Sequence, residues 1–226
     1  MNVFFNMIKK NKHLLLLLYW PVHFIWYELL RLNADTMPNF YIVSSTLDDK
    51  IPFCEWFIIP YVLWYFYIMA VLLYTANKNK SDFINANIMI SGSMFISVLI
   101  NTFFPSGVTE SIRPDFESLG RDNILIDAVK YIYSIDSPPR VVMPSMHVAV
   151  AIALLATVLK SDCFKGKKLT KLFSSVLSVL ICLSTVLIKQ HSVLDLFAGV
   201  LLAAILYFIT YHLVKAKKKT VDVTQP

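Results

Sequence analysis

Apolar residues along the chain are gathered into long runs that are separated by short polar segments. Six of these runs approach the about 20 residues that an α-helix needs to cross a bilayer. They lie at residues 13–32, 56–75, 84–104, 141–159, 172–188 and 193–214. Pro144, Ser145 and His147 interrupt the fourth run, and the fifth is short. The pattern predicts an all-α, polytopic membrane protein built as a bundle of six transmembrane helices.

The first apolar run lacks the features of a cleaved signal peptide. Three lysines precede it, as in a signal peptide, but the run continues through Trp26 without a small-residue cleavage site. We therefore expect it to be retained as the first span. No Gly/Ser-rich linker or internal repeat divides the chain. This predicts one membrane domain over residues 1–214, followed by a basic cytoplasmic tail at residues 215–226.

Composition and charge agree with a membrane protein and predict its orientation. Hydrophobic residues make up 57% of the chain and charged residues only 16%, against about 25% charged residues in soluble domains. With six spans both termini lie on one side, and that side carries fourteen of the 21 Lys and Arg residues. Since cytoplasmic loops carry the excess of Lys and Arg, both termini are expected in the cytoplasm.

The net charge of +6 follows from this topology and predicts no nucleic-acid partner. The Lys- and Asn-rich composition and the small size favour a bacterial plasma membrane. The three cysteines are scattered and show no metal-ligand spacing, so no disulfide framework is expected. The sequence predicts no particular oligomeric state.

Three polar clusters are expected to meet at the outer face. The fourth span begins with Met143 to His147, "MPSMH", and the sixth with His191 to Asp195, "HSVLD". The third span ends on the outer side and leads into Ser111 to Phe116, "SIRPDF". The order of the spans therefore predicts one polar mouth built from three segments that are distant in sequence.

His191 and Asp195 are four residues apart, so on a helix their side chains share a face. The carboxylate can then bind one imidazole nitrogen and leave the lone pair of the other nitrogen free for nucleophilic attack. The alternative is a His and an Asp that merely cap a helix end. Because ionisable groups in a membrane segment are costly and usually functional, the spacing favours a nucleophilic pair.

Pro144 fits the first turn of a helix, and Ser145 is a plausible N-cap. The backbone N–H groups near Ser145 and Met146 would then form an anion site at the helix N-terminus, although a proline-initiated helix with a capping serine is the simpler alternative. His147 adds an imidazole beside the same anion, which suits proton donation to a leaving group.

Two cations are candidates for phosphate binding. Arg113 precedes Pro114 and is therefore held outside a helix, with a guanidinium that matches two phosphate oxygens. Lys189 lies two residues before His191. The alternatives are a solvated arginine and a lysine that faces lipid headgroups.

At these residues the chain resembles the type 2 phosphatidic acid phosphatase (PAP2) superfamily of membrane lipid phosphatases and phosphotransferases. The matching elements are Arg113-Pro114, then Pro144-Ser145-Met146-His147, then His191-x-x-x-Asp195, within residues 84–214. The resemblance implies a six-helix PAP2-like bundle and a phosphohistidine formed on His191. It further implies Asp195 as the orienting carboxylate, His147 as the acid, and Arg113 and Ser145 as phosphate ligands, with no metal or other cofactor.

The chain departs from the family pattern at two cations. Ser106 stands where the family has a lysine, and Thr185 stands where it has an arginine. Lys189 and Arg140 are the proposed replacements. Met146 replaces the common glycine, as in the branch that resembles inositol phosphorylceramide synthases, and the stretch "LDDKIPF", residues 47–53, is also similar to that branch.

The leading functional hypothesis is metal-independent hydrolysis of a phosphoester or diphosphate on a membrane lipid phosphate or polyprenyl (pyro)phosphate. A phosphotransferase that uses an alcohol acceptor would have the same motifs. A lipid binder or carrier without catalysis, and a metal site formed by His147, His191 and Asp195, are alternatives of different classes.

Overall fold

The computed structural model describes residues 12–33, 36 and 40–213. The basic tail expected at residues 215–226 lies outside these residues. Within them the chain forms seven α-helices: α1 Tyr19–Asn33, α2 Ile58–Lys78, α3 Lys80–Phe103, α4 Ile124–Ile135, α5 Met146–Lys160, α6 Lys168–Leu187 and α7 Val193–Phe208. A 3₁₀ segment, Lys12–Leu18, leads into α1, and a π-helical turn, Ile209–Leu213, extends α7.

The predicted all-α membrane bundle is confirmed. Five helical segments of the described chain are long and apolar enough to cross a bilayer: Lys12–Asn33, Glu55–Lys78, Lys80–Phe103, Lys168–Leu187 and Val193–His212. The sixth apolar helix, α5, has 15 residues. It is therefore about 22 Å long, shorter than the about 30 Å of a bilayer's hydrocarbon core.

The predicted start of the fourth span, at residue 141, is wrong. Helix α5 begins at Met146 because Ser145 has extended backbone angles and acts as the N-cap, with its hydroxyl accepting from the N–H of Val148. Pro144 before it has no N–H to donate. The fifth span begins earlier than predicted, at Lys168 instead of residue 172.

Helix α5 lies at the centre of the bundle and contacts α2, α3, α6 and α7. Small and β-branched side chains such as Val148, Ala149 and Ala153 are fully buried on it. Small residues let helix backbones approach closely, which is how membrane helices commonly pack. The central position of α5 puts its first turn against the first turn of α7.

Helix α4 lies between the third and fourth spans and was not predicted from the sequence. Asn123 caps it by accepting from the N–H groups of Leu125 and Ile126. Ile126, Val129 and Tyr133 form its buried face. This short amphipathic helix packs against α2 and lies beside the turn that precedes α7.

Two short strands connect the polar segments at this end. Strand β1, Tyr41–Ile42, pairs in parallel with β2, Ser106–Gly107. Gly107 forms a further antiparallel bridge with Arg140. The segments after α1, α3 and α4 are thereby held side by side.

Candidate active site

The first turns of α5 and α7 are joined directly. The backbone N–H of Ser145 donates to the carbonyl oxygen of Asp195 at 3.1 Å. Asn101, near the end of α3, donates its side-chain amide to the carbonyl oxygen of Met143 at 2.8 Å. The structure therefore brings the starts of the fourth and sixth spans and the end of the third span to one place.

His191 lies in the turn before α7 and contacts Asp195. Its Nδ1 is 3.3 Å from Oδ2 of Asp195, which is fully buried, while His191 is 9% exposed. The same carboxylate oxygen accepts the N–H of Ser192 at 2.9 Å and completes a capping box at the start of α7. With Nδ1 protonated toward the carboxylate, Nε2 of His191 carries the free lone pair.

His147 packs against the aromatic side chains of α2. Its ring centroid lies 4.2 Å from that of Tyr61 and 4.3 Å from that of Trp64. Nε2 of His147 is buried and has no hydrogen-bond partner in the described structure. Because a buried polar atom without a partner is costly, this atom is a candidate for contact with a ligand. The ring centroids of His147 and His191 are 6.1 Å apart.

Several contacts hold Arg113 beside the histidine turn, which is the segment 188–192 that carries His191. Its Nη2 donates to the carbonyl oxygen of Asp136 at 2.8 Å and to Oε1 of Gln190 at 3.0 Å, and its Nη1 donates to the hydroxyl of Ser137 at 2.8 Å. The guanidinium also lies 4.1 Å from the ring centroid of Tyr133. Burial lowers the pKa of Arg113, while Tyr133 and Asp136 act in the opposite direction.

The backbone N–H groups at the start of α5 differ in whether they already have a hydrogen-bond acceptor. The N–H of Ser145 is taken by Asp195, whereas those of Met146 and His147 lie in the first helical turn, which has no acceptor within the helix. Met146 and His147 both line a cavity that extends between α1 and α2. Binding of phosphate by Ser145 and by the Met146 backbone stays a prediction.

Lys189, in the turn after α6, contacts the loop between α1 and α2. Its Nζ donates to the carbonyl oxygens of Asp48 at 2.6 Å and Ile51 at 2.5 Å. Burial lowers the pKa of Lys189, and the charges of Asp48 and Asp49 act in the opposite direction. The ammonium group is thus engaged in holding a loop, an arrangement that its position in the sequence does not reveal.

Arg140 lies farther along the chain, in the segment that leads to α5. Its guanidinium is 4.5 Å from the ring centroid of Phe40, and Nη1 donates to the carbonyl oxygen of Pro139 at 3.2 Å. Its backbone bridges to Gly107. The structure places Arg140 with the two-stranded sheet, and its role as a phosphate ligand stays a prediction.

The two positions where the family's cations are absent have structural roles here. Ser106 is 4% exposed, donates its hydroxyl to Oδ1 of Asn101 at 2.6 Å and accepts the N–H of Met143 at 3.0 Å. Thr185 is fully buried, and its carbonyl oxygen accepts the N–H groups of both Gln190 and His191 at 3.0 Å. Both residues fix the backbone around the histidines.

A cavity of about 1080 Å³ extends from His147 between α1, α2 and the end of α4. Its wall is mainly apolar and aromatic. Polar groups gather on one part of it, where Arg31 and Glu28 form an ion pair at 2.6 Å and Asp136 and Ser137 are also present. Burial raises the pKa of Asp136 to about 6, while His191 and Arg113 act in the opposite direction.

A second cavity, of about 460 Å³, lies next to Arg113 and shares Ser134 and Ser137 with the first. Among the described residues, no group of three or more His, Cys, Asp and Glu side chains is arranged to hold a metal ion.

Sequence reasoning missed several residues that the site uses. Gln190 contacts Arg113, and Tyr133 donates its hydroxyl to the carbonyl oxygen of Ile188 at 2.6 Å. Asp48, from the loop between α1 and α2, contacts Ser192 and Val193. The sequence offered a signal only for Asp48, which lies in the stretch "LDDKIPF".

Comparisons with known proteins agree with the ordered motifs at this site. The model of the PAP2 superfamily matches residues 86–219, which is more than half of the chain. The comparison with curated proteins and the comparison with solved structures each gave no match. The family match covers α5, α6 and α7, and with them all the residues from His147 to Asp195 that build the centre of the site. This integral membrane protein belongs to the PAP2 superfamily.

Proposed function

We propose that this protein is a metal-independent phosphatase that acts on a membrane lipid phosphate or diphosphate through a phosphohistidine on His191. The observation that carries the proposal is the pairing of His147 and His191 at 6.1 Å across the joined first turns of α5 and α7. Asp195 contacts His191 through Nδ1, so the other imidazole nitrogen is the reactive one.

The separation of the two rings suits one phosphoryl group. A nucleophile attacks from about 3 to 3.5 Å, and a proton donor lies about 2.6 to 3.2 Å from the leaving oxygen. The P–O bond that breaks lies between these two contacts, so the two reactive nitrogens must lie farther apart than the sum of the contacts. The ring centroids are 6.1 Å apart, and nitrogens at the outer edges of the rings lie farther apart than the centroids. His147 and His191 can therefore serve opposite sides of one phosphorus atom.

The reaction proceeds in two balanced steps. Nε2 of His191 attacks phosphorus while the bond from phosphorus to the leaving oxygen breaks, and protonated His147 gives its proton to that oxygen. His147, now neutral, takes a proton from water as the water oxygen attacks phosphorus and the P–N bond breaks. Asp195 stabilises the imidazolium character that His191 gains in the first step.

Stabilisation of the phosphoryl oxygens falls mainly to Arg113. It is held next to Gln190, the neighbour of His191, by fixed hydrogen bonds. Such preorganised donors usually make the largest contribution to phosphoryl transfer. The first-turn N–H groups of α5 would add to this contribution.

A lipid substrate is supported by the cavity that ends at His147. Its mainly apolar wall is formed by membrane helices α1 and α2 together with α4, so an acyl or polyprenyl chain could occupy it while the phosphate meets the histidines. The excess of Lys and Arg on the opposite side supports an active site on the outer face, with both termini cytoplasmic.

The same cavity favours a lipid phosphotransferase as a second candidate. The acceptor of the second step must reach His147, and His147 faces a space suited to a lipid alcohol. Water and an alcohol would use the same phosphohistidine and the same proton acceptor. The two functions differ only in which hydroxyl attacks.

The test is phosphate release by detergent-purified protein from a panel of lipid monophosphates and polyprenyl diphosphates, with and without EDTA. Each substrate is offered with water alone and with an added alcohol, diacylglycerol or ceramide, that differs from the substrate's own dephosphorylated product. The proposal expects EDTA-resistant release of phosphate. Formation of a new phospholipid only with the alcohol would identify the transferase. Release that EDTA abolishes would contradict both functions.

A further inference from the structure

The loop between α1 and α2 is fastened to the turn that carries His191. Asp48, which is 4% exposed, accepts the hydroxyl of Ser192 on Oδ2 at 2.7 Å and the N–H of Val193 on Oδ1 at 2.8 Å. Oδ2 also accepts the N–H of Ser45 within the loop, at 2.8 Å. One carboxylate from a distant loop thus caps the helix whose first turn contains Asp195.

Lys189 makes the reciprocal connection from the histidine turn to the loop. Its Nζ donates to the carbonyl oxygens of Asp48 and Ile51. The backbone of Lys189 has φ of 57°, in the left-handed region that residues other than glycine seldom adopt. Such a conformation persists where surrounding contacts hold it, and the two contacts of the ammonium group are of this kind.

These contacts are close to the reacting group. Lys189 is two residues before His191, and Ser192 directly follows it. From the other side, the N–H groups of Gln190 and His191 are fixed by the carbonyl oxygen of Thr185. The backbone of His191 is therefore held between α6 and the loop. The loop contacts residues that precede His191 in the sequence and residues that follow it.

We propose that Asp48 and Lys189 are positioning residues that clamp residues 45–51 onto the histidine turn and so hold the His191 imidazole in its reactive orientation. The inference rests on the proposed role of His191. It assigns a catalytic purpose to a loop outside the region matched by the family model, which begins at residue 86. It also gives Lys189 a role in place of direct phosphate binding.

The test compares Asp48→Asn with Asp49→Asn, and Lys189→Met with Lys50→Met. Each control makes the same substitution at an exposed residue of the segment 45–51. Two quantities are measured on folded, detergent-purified protein: kcat and KM for phosphate release, and the rate at which diethyl pyrocarbonate modifies His191 between pH 5 and 8, followed by mass spectrometry of its peptide.

We expect Asp48→Asn and Lys189→Met to lower kcat by about 10- to 100-fold, the effect of small misplacements of a reacting group. KM should stay within about twofold because neither side chain binds substrate. Modification of His191 should become faster and its pH profile should shift. The two control variants should behave like the wild type in both measurements.

The outcomes separate this inference from the proposed function. If the wild type releases no phosphate, the proposed function fails, and the modification of His191 still reports whether the clamp orients it. If the wild type is active and Asp48→Asn keeps both its kcat and its His191 profile, the clamp is not a positioning device. An effect of Lys189→Met on KM alone would return Lys189 to a phosphate-binding role and overturn the inference. Should Asp48→Asn fail to fold, Lys189→Met and Lys189→Arg decide the question, with partial recovery of kcat expected for arginine.

Discussion

Gly199 of α7 lies directly against Ser145, the N-cap residue of α5. A Cβ atom added at Gly199 would be 2.8 Å from the carbonyl oxygen of Ser145 and 2.9 Å from Cβ of Val148. Ser145 lies two residues before His147, and Val148 directly follows His147. The absence of a side chain at Gly199 therefore sets how closely the two histidine-bearing segments approach.

Gly199→Ala should lower both stability and activity. The added methyl group meets backbone and a β-branched side chain, neither of which can rotate away, so α5 must move away from α7. Overpacking of this kind costs about 1–3 kcal/mol, and the movement would separate His147 from His191. Thermal unfolding in detergent and kcat for phosphate release measure the two effects.

Gly92→Ala provides the matched control. A Cβ at Gly92 meets only the flexible end of Leu206, at 3.4 Å, and alanine in a helix is favoured over glycine by about 0.5–1 kcal/mol. We expect wild-type activity and equal or greater stability. If Gly199→Ala were as active and stable as Gly92→Ala, the close approach of α5 and α7 would have no functional importance.

Restoring the family's lysine at position 106 should damage the protein. Ser106 is buried, and its hydroxyl joins Asn101 to the N–H of Met143. Ser106→Lys would break both bonds and bury an ammonium group, so we expect a loss of at least about 2 kcal/mol in the free energy of unfolding. Ser106→Ala, which removes the hydroxyl without adding a charge, should cost less. A stable Ser106→Lys variant with tighter phosphate binding would show that this position can still face the phosphate.

The partly buried carboxyl group of Asp136 should make stability depend on pH. Its pKa is raised from 3.8 to about 6, mainly by burial, so the folded protein binds this proton more tightly than the unfolded chain. The resulting contribution to stability is complete below about pH 4 and is lost as the pH rises through about 6. Asp136→Asn should therefore raise the melting temperature at pH 8 and leave it nearly unchanged at pH 4.

Asp127→Asn is the control for this prediction. Asp127 lies on α4, the helix that precedes Asp136, and its side chain is 67% exposed. Its replacement should change the melting temperature little at either pH. An equal increase for both variants at pH 8 would point to the overall charge of the segment instead of the burial of Asp136.

The membrane helices could be predicted because their apolar runs have the length that a bilayer requires. Helix α4 was missed because its 12 residues are too few for a span and their amphipathic pattern lies among polar residues. The start of α5 was placed too early because Val141 and Val142 are apolar and buried yet lie outside the helix. Their burial comes from packing between segments, which the local pattern does not contain.

The gathering of the segments that carry His147, His191 and Arg113 could be predicted because the order of the spans places them at one end of the bundle. The contacts of Lys189 could not be predicted in this way. Its distance of two residues from His191 suggested a phosphate ligand, whereas its ammonium group is bound by carbonyl oxygens from residues 48 and 51. Contacts across more than 130 residues depend on how the loop folds back, and spacing within one segment does not report that.

The most direct test of the central claim is to trap the phosphorylated enzyme. Detergent-purified protein is mixed with a lipid phosphate labelled with ³²P, quenched in alkali after a short time and digested, since phosphohistidine survives alkali and is lost in acid. Our account predicts an alkali-stable, acid-labile label on the peptide that contains His191. The label should be absent from His191→Ala, and water or an alcohol should remove it from the wild-type protein. Turnover of the substrate by wild-type protein without any label on His191, or undiminished turnover by His191→Ala, would contradict it.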